Sequence, residues 1–396
     1  MRFFVVFNQF FNIMKRFSIF CLPAVVMAGA LLLLAACDKD KATPAPAPEP
    51  GPAVPVDLSA AGTANCYIVS APGTYSFKAV KGNSNVAASA AKAEVLWESF
   101  GTDEVPVVGD IISEVSYADN RVVFTTPETL KNGNAVIAVK DEMNQISWSW
   151  HIWVCEGYDA VASGQVYYND AGTLMDRNLG ATSATPDKAG VVGLMYQWGR
   201  KDPFLGPKKC ILTFQKAAST LSWPAPVASD AEHGTVEFTV KNPTTFITAD
   251  ATTDHDWLFA ARDNTLWKES EKTIFDPCPA GWRIPAGASN GVWAKASATT
   301  SEFKWPNDRT IFALNFSTKW GDAENIWYTA SGFLTESTGT LSGTSIGKYA
   351  TATIPSGNTS VAELGISHNG NADEGTVYIS SYSYRAQGFS VRCAKE

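Results

Sequence analysis

The side chains that could support chemistry in this chain are few, and the most informative are the seven cysteines and four histidines among its 396 residues. Cys37 closes the run Leu34-Ala35-Ala36-Cys37, a lipobox pattern in which the cysteine is diacylated and becomes the new N-terminus. Upstream, Met14-Lys15-Arg16 and the apolar stretch 17–33 read as the basic and hydrophobic regions of a signal peptide, with Met1 and Met14 both open as the start. A transmembrane anchor would need roughly 20 apolar residues and gives no reason for the terminal cysteine. Residues 1–36 are therefore expected to be a lipoprotein signal peptide, and Cys37 a palmitate-bearing attachment point to the membrane.

Export permits disulfides. Cys66, Cys155, Cys210, Cys278 and Cys393 allow two bridges and one free thiol in fifteen arrangements, among which the sequence does not choose; three of them pair Cys66 with Cys155. Two further patterns are weaker than they look. Gly343-Thr344-Ser345-Ile346-Gly347 fits the nucleophile-elbow pattern, but a Ser/Thr/Gly loop follows where a hydrolase needs a helix. Asp254-His255-Asp256 offers three metal-ligating types, yet adjacent residues on an extended chain point to alternate sides. No catalytic residue, metal site or cofactor is expected.

These residues need elements to position them. Removing residues 1–36 takes away three basic residues and no acidic one, leaving 28 Lys and Arg against 39 Asp and Glu, a net charge of −11 that argues against nucleic acid or anionic lipid as partner. Asp38-Lys39-Asp40-Lys41 reads either as a solvated spacer or as similar to a surface-export signal, and the Pro/Ala run that completes residues 37–56 is a stiff, polyproline-like linker. Between 57 and 156, seven runs alternate with turn signals: 66–70, 75–80, 93–100, 111–117, 121–125, 135–140 and 146–155. That spacing predicts an all-β immunoglobulin-like sandwich, in which Trp148, Trp150 and Ile152 face inward and His151 faces solvent.

From 157 onward the pattern changes. A hairpin is predicted around Asn169-Asp170-Ala171-Gly172, and a helix over Gly193 to Trp198, with the charged Arg200-Lys201-Asp202 at its end. An inserted surface loop is expected over 207–256, and a short helix after Ser289-Asn290. The stretch Asp276-Pro277-Cys278-Pro279-Ala280-Gly281-Trp282-Arg283-Ile284-Pro285 is a stiff non-helical loop, because its prolines fix φ and bias the residues before them toward extended backbone.

That loop and the closing Gly388-Phe389-Ser390-Val391-Arg392-Cys393 carry a resemblance. They are similar to the "CPxGWxxP" and "GFSVRC" elements of the Fibrobacter succinogenes major paralogous domain, with Met175-Asp176-Arg177-Asn178-Leu179 and Leu194-Met195-Tyr196-Gln197-Trp198 resembling its opening and first helix. The resemblance implies an α+β C-type-lectin-like domain over 157–396 and a Cys278–Cys393 disulfide, and leaves activity open. It extends to formylglycine-generating enzymes, but their pair of reactive cysteines is not matched, since Cys393 alone lies near the end. Trp305-Pro306-Asn307-Asp308 compares poorly with the "WND" motif of calcium-dependent lectins, because a proline intervenes and no "EPN" or "QPD" follows. More loosely, Asn65 to Val69 and Trp148 to Val154 resemble N-terminal modules of fimbrillin-like surface lipoproteins.

The expectation is a non-catalytic outer-membrane lipoprotein exposed at the cell surface. It would act as an adhesin or minor fimbrial component, binding a glycan or surface protein, with fimbrial subunits as further partners. A polysaccharide-binding lipoprotein of a nutrient uptake system is the alternative. The contact residues expected from their types are Trp320, Asn325, Trp327, Tyr328, Tyr382, Tyr384 and Arg385.

Overall fold

The alternating runs of the first half become strands in all seven places where the sequence predicts them. They are β2 (Cys66–Val69), β3 (Thr74–Lys78), β4 (Lys92–Ser99), β5 (Glu114–Ala118), β6 (Arg121–Thr125), β7 (Gly133–Lys140) and β8 (Ile146–Val154), preceded by a short β1 (Val56–Asp57). The structure, a computed structural model, describes residues 54–210, 214–260, 262–297, 307–308, 310–316, 326–343, 345–355, 360–368 and 375–396; Cys37, Trp305, Trp320 and Asn325 lie outside the described residues. Strands order as β1-β3-β6-β5 in one sheet and β2-β8-β7-β4 in another. Their apolar faces share one core, where Phe77 meets Tyr67 at 4.6 Å and Trp150 at 5.1 Å between ring centroids.

The second face of β8 departs from expectation. His151 is buried, not solvent-facing, with Nε2 2.9 Å from Asn134 Oδ1, while the Asn134 amide donates to the Gly180 carbonyl at 2.9 Å. Ser149 donates to Asp202 at 2.6 Å, and the Lys201 ammonium, 4.6 Å from the Trp148 ring centroid, donates to Asp202 at 2.7 Å. The charged triplet expected to end a helix therefore packs onto this sheet. One hydrophobic cluster joins Cys66, Trp97, Trp153 and Cys155 to Met175, Trp198, Trp257 and Phe389, so no gap in the packing marks residue 156. Alternation alone cannot show this, because a sheet covered on both faces owes its second cover to residues distant in sequence.

The second half is also mostly strand. The predicted hairpin is present as β9 (Gln165–Tyr167) and β10 (Gly172–Leu174), turning through Asn169 and Asp170 at φ +58° and +52°. The helix predicted over 193–198 is instead β11 (Leu194–Gln197), which pairs with β12 (Phe204–Leu205). All four of its residues are buried, and the left-handed Gly193 and Gly199 bound it, a pattern that a buried strand shares with a helix segment. The 207–256 insertion is not only surface. It holds β13 (Val227–Ala228), helix α1 (Val236–Lys241) and β14 (Ile247–Thr248), and Ile247 enters the core.

Beyond β15 (Trp282–Arg283) comes the short helix expected there, α2 (Val292–Ser297), then β16 (Asn307–Asp308), β17 (Ala313–Asn315) and β18 (Trp327–Thr329). The chain finishes with β19 (Phe333–Leu334), β20 (Leu341–Ser342), β21 (Ile346–Ala350), β22 (Ser360–Ser367), β23 (Thr376–Tyr384), β24 (Gly388–Ser390) and β25 (Ala394–Lys395). The largest sheet runs β12-β11-β24-β21-β22-β23, with β19 and β20 attached beside β24.

The proline-rich loop fastens these parts. Cys278 and Cys393 form a disulfide across 115 residues, and β15 pairs with β25. Both oxygens of buried Asp276 accept backbone N–H groups, from Cys278 and Ile284 at 2.9 Å each. Buried Lys272 donates to Asp276 at 3.1 Å and to the Cys278 and Trp282 carbonyls at 2.7 and 2.6 Å. Asn65 reaches across from the first half, its amide donating to the Ile274 and Asp276 carbonyls at 2.8 and 2.9 Å. Cys66 and Cys155 are not bridged. In the parallel β2–β8 pair Cys66 sits opposite His151, so Cys155 lies four residues further on, about 13 Å along the strand and beyond disulfide reach. Burial pushes the Cys66 thiol up and that of Cys210 up to about 12, so neither is a ready nucleophile.

Cys393→Ser should cost about 4 to 5 kcal/mol by loop entropy, and Asp276→Asn about 3 kcal/mol by leaving Lys272 unpaired, both read as a lower Tm by calorimetry. Burial pushes His151 down to about 3, whereas an unfolded histidine titrates near about 6.5. Below that value the unfolded chain binds a proton that the folded one refuses. Stability present above about pH 6.5 is thus lost as pH falls toward 3, by up to about 1.4 kcal/mol per pH unit. Denaturant titrations between about pH 6.5 and pH 5 should show this slope in the native protein and a flatter one in His151→Gln.

Candidate functional site

Strand β23 reads Thr-Val-Tyr-Ile-Ser-Ser-Tyr-Ser-Tyr. Successive residues of a strand point to opposite faces, but β23 carries a bulge, Ile379 and Ser380 lying opposite the single Leu364 of β22, so Tyr382 and Tyr384 share one side and Tyr378, beyond the bulge, falls on the other with Ser381 and Ser383. Val377 and Ile379 pack on the core cluster containing Trp293, Leu364 and Ile366. Tyr378 and Tyr382 are each 54% exposed and Tyr384 40%. At about 7 Å per two residues, Tyr382 and Tyr384 form a short row of two rings on the last strand of the largest sheet.

One end of the row is held by a polar network. The His255 ring stacks on Tyr384 with centroids 4.0 Å apart and planes 16° from parallel. Asp254 and His255 both adopt left-handed backbone, at φ +52° and +56°, and the His255 carbonyl accepts from Ala386 N at 3.2 Å. His255 Nδ1 lies 3.8 Å from Glu336, whose other oxygen accepts from Gln387 at 2.8 Å. Lys348 donates to Gln387 at 3.0 Å and to Ser383 at 2.6 Å, and lies 3.8 Å from Glu363. Burial lowers the pKa of Lys348 and raises that of Glu363, while the opposite charge of each works against the shift of the other. Ser383 is thereby pinned, and with it the end of β23 that carries Tyr382 and Tyr384.

The residues expected to make contact separate cleanly. Tyr382 and Tyr384 stand in the row, and Trp327 is half-buried on β18. Tyr328 and Arg385 are corrected: both are fully buried. The Tyr328 hydroxyl accepts from Trp293 Nε1 at 2.7 Å and bonds the Tyr167 hydroxyl, with the Arg392 guanidinium 4.0 Å over its ring. Arg385 lies 3.4 Å from Asp256, 4.5 Å over the Trp198 ring, and bonds Asn264. Trp320 and Asn325 fall outside the described residues. His255 belongs to the site without having been expected there, and nothing local in the sequence reaches it.

The other motifs place as follows. Asp254 pairs with Arg262 and Asp256 with Arg385, so the two carboxylates of Asp254-His255-Asp256 turn to different partners, and among the described residues no group of three or more His, Cys, Asp or Glu could hold a metal. Ser345 leads into strand β21, not into a helix. A separate cleft of about 400 Å³ is lined by Phe204, Lys216, Trp223, Phe246 and Thr340. Its rings are engaged with one another and with Trp97, at 5.2 Å for Phe204–Phe246 and 5.6 Å for Trp97–Trp223, which makes it a margin of the core more than a platform.

A row of phenol rings with hydroxyls beside them, and no charge on the strand, can stack on the apolar faces of sugar rings and hydrogen-bond their hydroxyls. If the row is surface and Tyr328 is core, Tyr382→Ala should change stability by under about 0.5 kcal/mol and Tyr328→Ala should cost about 3 kcal/mol or more in chemical denaturation. Comparison of the chain with family models, curated proteins and solved structures finds no match, so the functional reading rests on these residues.

Proposed function

We propose that the protein is a cell-surface binding lipoprotein, held to the outer membrane by lipid on Cys37 and set off from it by the Pro/Ala-rich linker. In this reading residues 57–156 form an immunoglobulin-like sandwich and residues 157–396 a C-type-lectin-like domain, and the chain serves as an adhesin or minor fimbrial component. Its ligand is a neutral glycan chain, gripped by the tyrosine row of β23. The observation that carries this is the exposure of Tyr382 and Tyr384 on one face of one strand, backed by the Lys348–Glu363 pair and the His255 stack. Large amphipathic rings are effective anchors because they contribute area at low conformational cost.

The test is a glycan array with the soluble chain beginning after Cys37, followed by titration calorimetry on any hit. Binding should fall at least about ten-fold in Tyr382→Ala/Tyr384→Ala, which corresponds to about 1.4 kcal/mol. A blank array, or binding untouched by the double substitution, would refute the glycan reading. Binding to a soluble polysaccharide without adhesion of intact cells would favour the nutrient-uptake alternative.

A further inference from the structure

A cleft that shares no residue with the tyrosine row opens where the start of β8 meets α1 and the residues that lead into the clasp loop. Its volume, about 420 Å³, falls within the range of about 300 to 1,000 Å³ typical of small-molecule sites. Trp148 and Phe275 line it with ring centroids 5.8 Å apart, together with Ile146, Val236, Val240 and Ile274, and all but Trp148 are partly open to solvent. Several of its polar groups are already engaged. The Ser147 hydroxyl donates to the Ser89 carbonyl at 2.5 Å, and Lys241 pairs with Glu237 at 2.7 Å. Lys81 and Asp141 remain, one charge of each sign, and among the described residues neither has an ion-pair partner.

Both charges stand on backbone that the fold fixes. Asn83, in the turn after Lys81, donates its amide to the Lys272 carbonyl at 2.9 Å. Gly82, at φ +54°, packs so closely that a side-chain carbon there would come within 2.3 Å of the Ile274 carbonyl oxygen. Lys81 Nζ lies 5.8 Å from the Trp148 ring centroid. Asp141 Oδ1 accepts the backbone N–H groups of Met143 and Gln145 at 2.9 Å each, which closes the turn that carries it. We infer that the cleft binds a free α-amino acid with an apolar side chain. The carboxylate of the ligand meets Lys81, its ammonium meets Asp141, and its side chain takes the apolar walls. An anion alone would leave Asp141 uncompensated beside it and a cation alone would leave Lys81, whereas a zwitterion answers both charges. A sugar would meet alkyl and aromatic walls where its hydroxyls need partners. The site stands independently of the glycan reading.

Titration calorimetry of the soluble chain beginning after Cys37 with L-leucine, L-phenylalanine and L-tryptophan tests it. At least one of the three should bind saturably, and at least about ten-fold tighter than its analogues lacking the amine or the carboxylate, which for phenylalanine are 3-phenylpropionate and 2-phenylethylamine. Lys81 and Asp141 are both partly exposed, so Lys81→Met, which keeps the alkyl stem, and Asp141→Asn, which keeps the acceptor for Met143 and Gln145, should fold with an unchanged Tm. Each should weaken amino-acid binding at least about ten-fold, while Lys81→Arg should retain it. No uptake of any of the three amino acids, an analogue that binds as tightly as its parent, or an affinity indifferent to Lys81→Met or to Asp141→Asn would each overturn the proposal.

Discussion

The carboxylate of Asp276 is the point on which the architecture turns. Three prolines make the loop around it stiff, but stiffness alone does not give a shape; two backbone N–H groups closing on its two oxygens do. A buried carboxylate is costly unless it is paired and hydrogen-bonded, and Lys272 meets that need while also capping two carbonyls of the same loop. The disulfide then ties the loop to the end of the chain, and Asn65, itself fixed by Trp148 Nε1 at 3.0 Å, ties it to the start of β2. Sheets from both halves thus meet at one polar knot inside an otherwise apolar core. Position of the outer strands, β23 included, depends on that knot through β24 and β21.

Much of this was readable in the sequence, because local signals and final structure agree. The seven early strands and the Asn169–Gly172 hairpin follow from alternation and turn chemistry, and the helix Val292–Ser297 lies where it is expected, although Ser289 and Asn290 sit in a 3-10 turn before it instead of capping it. The clasp loop was legible as a rigid element, and its partner cysteine through resemblance, not through spacing. The errors share one physical cause. Leu194 to Gln197 is apolar throughout because both its faces are buried, and a buried strand then looks like one stripe of a helix. His151, Lys201 and Asp202 read as surface residues by type, yet each is satisfied by partners on a distant part of the chain. Composition cannot report such pairings.

The candidate surface shows the same limit at the scale of single residues. Tyr328 and Tyr382 are the same side chain on short strands, and only their partners separate them: one meets Trp293, Tyr167 and Arg392, the other meets solvent. The alternation of β23 is legible in the sequence, but the bulge at Ile379 and Ser380 that moves Tyr378 to the other face is not, because it is set by pairing with β22. Arg385, attractive as an anchor by type, is consumed by Asp256 and Trp198.

The central claim is that the two halves form one cooperative body, joined by the Asp276 knot and by the buried second face of β8, and that the tyrosine row is displayed by that body and not by a detachable module. Differential scanning calorimetry of the soluble chain under oxidising conditions tests this most directly. A single transition whose calorimetric and van't Hoff enthalpies agree is the predicted result. Two resolved transitions, one of which is reproduced by residues 57–156 alone, would contradict it.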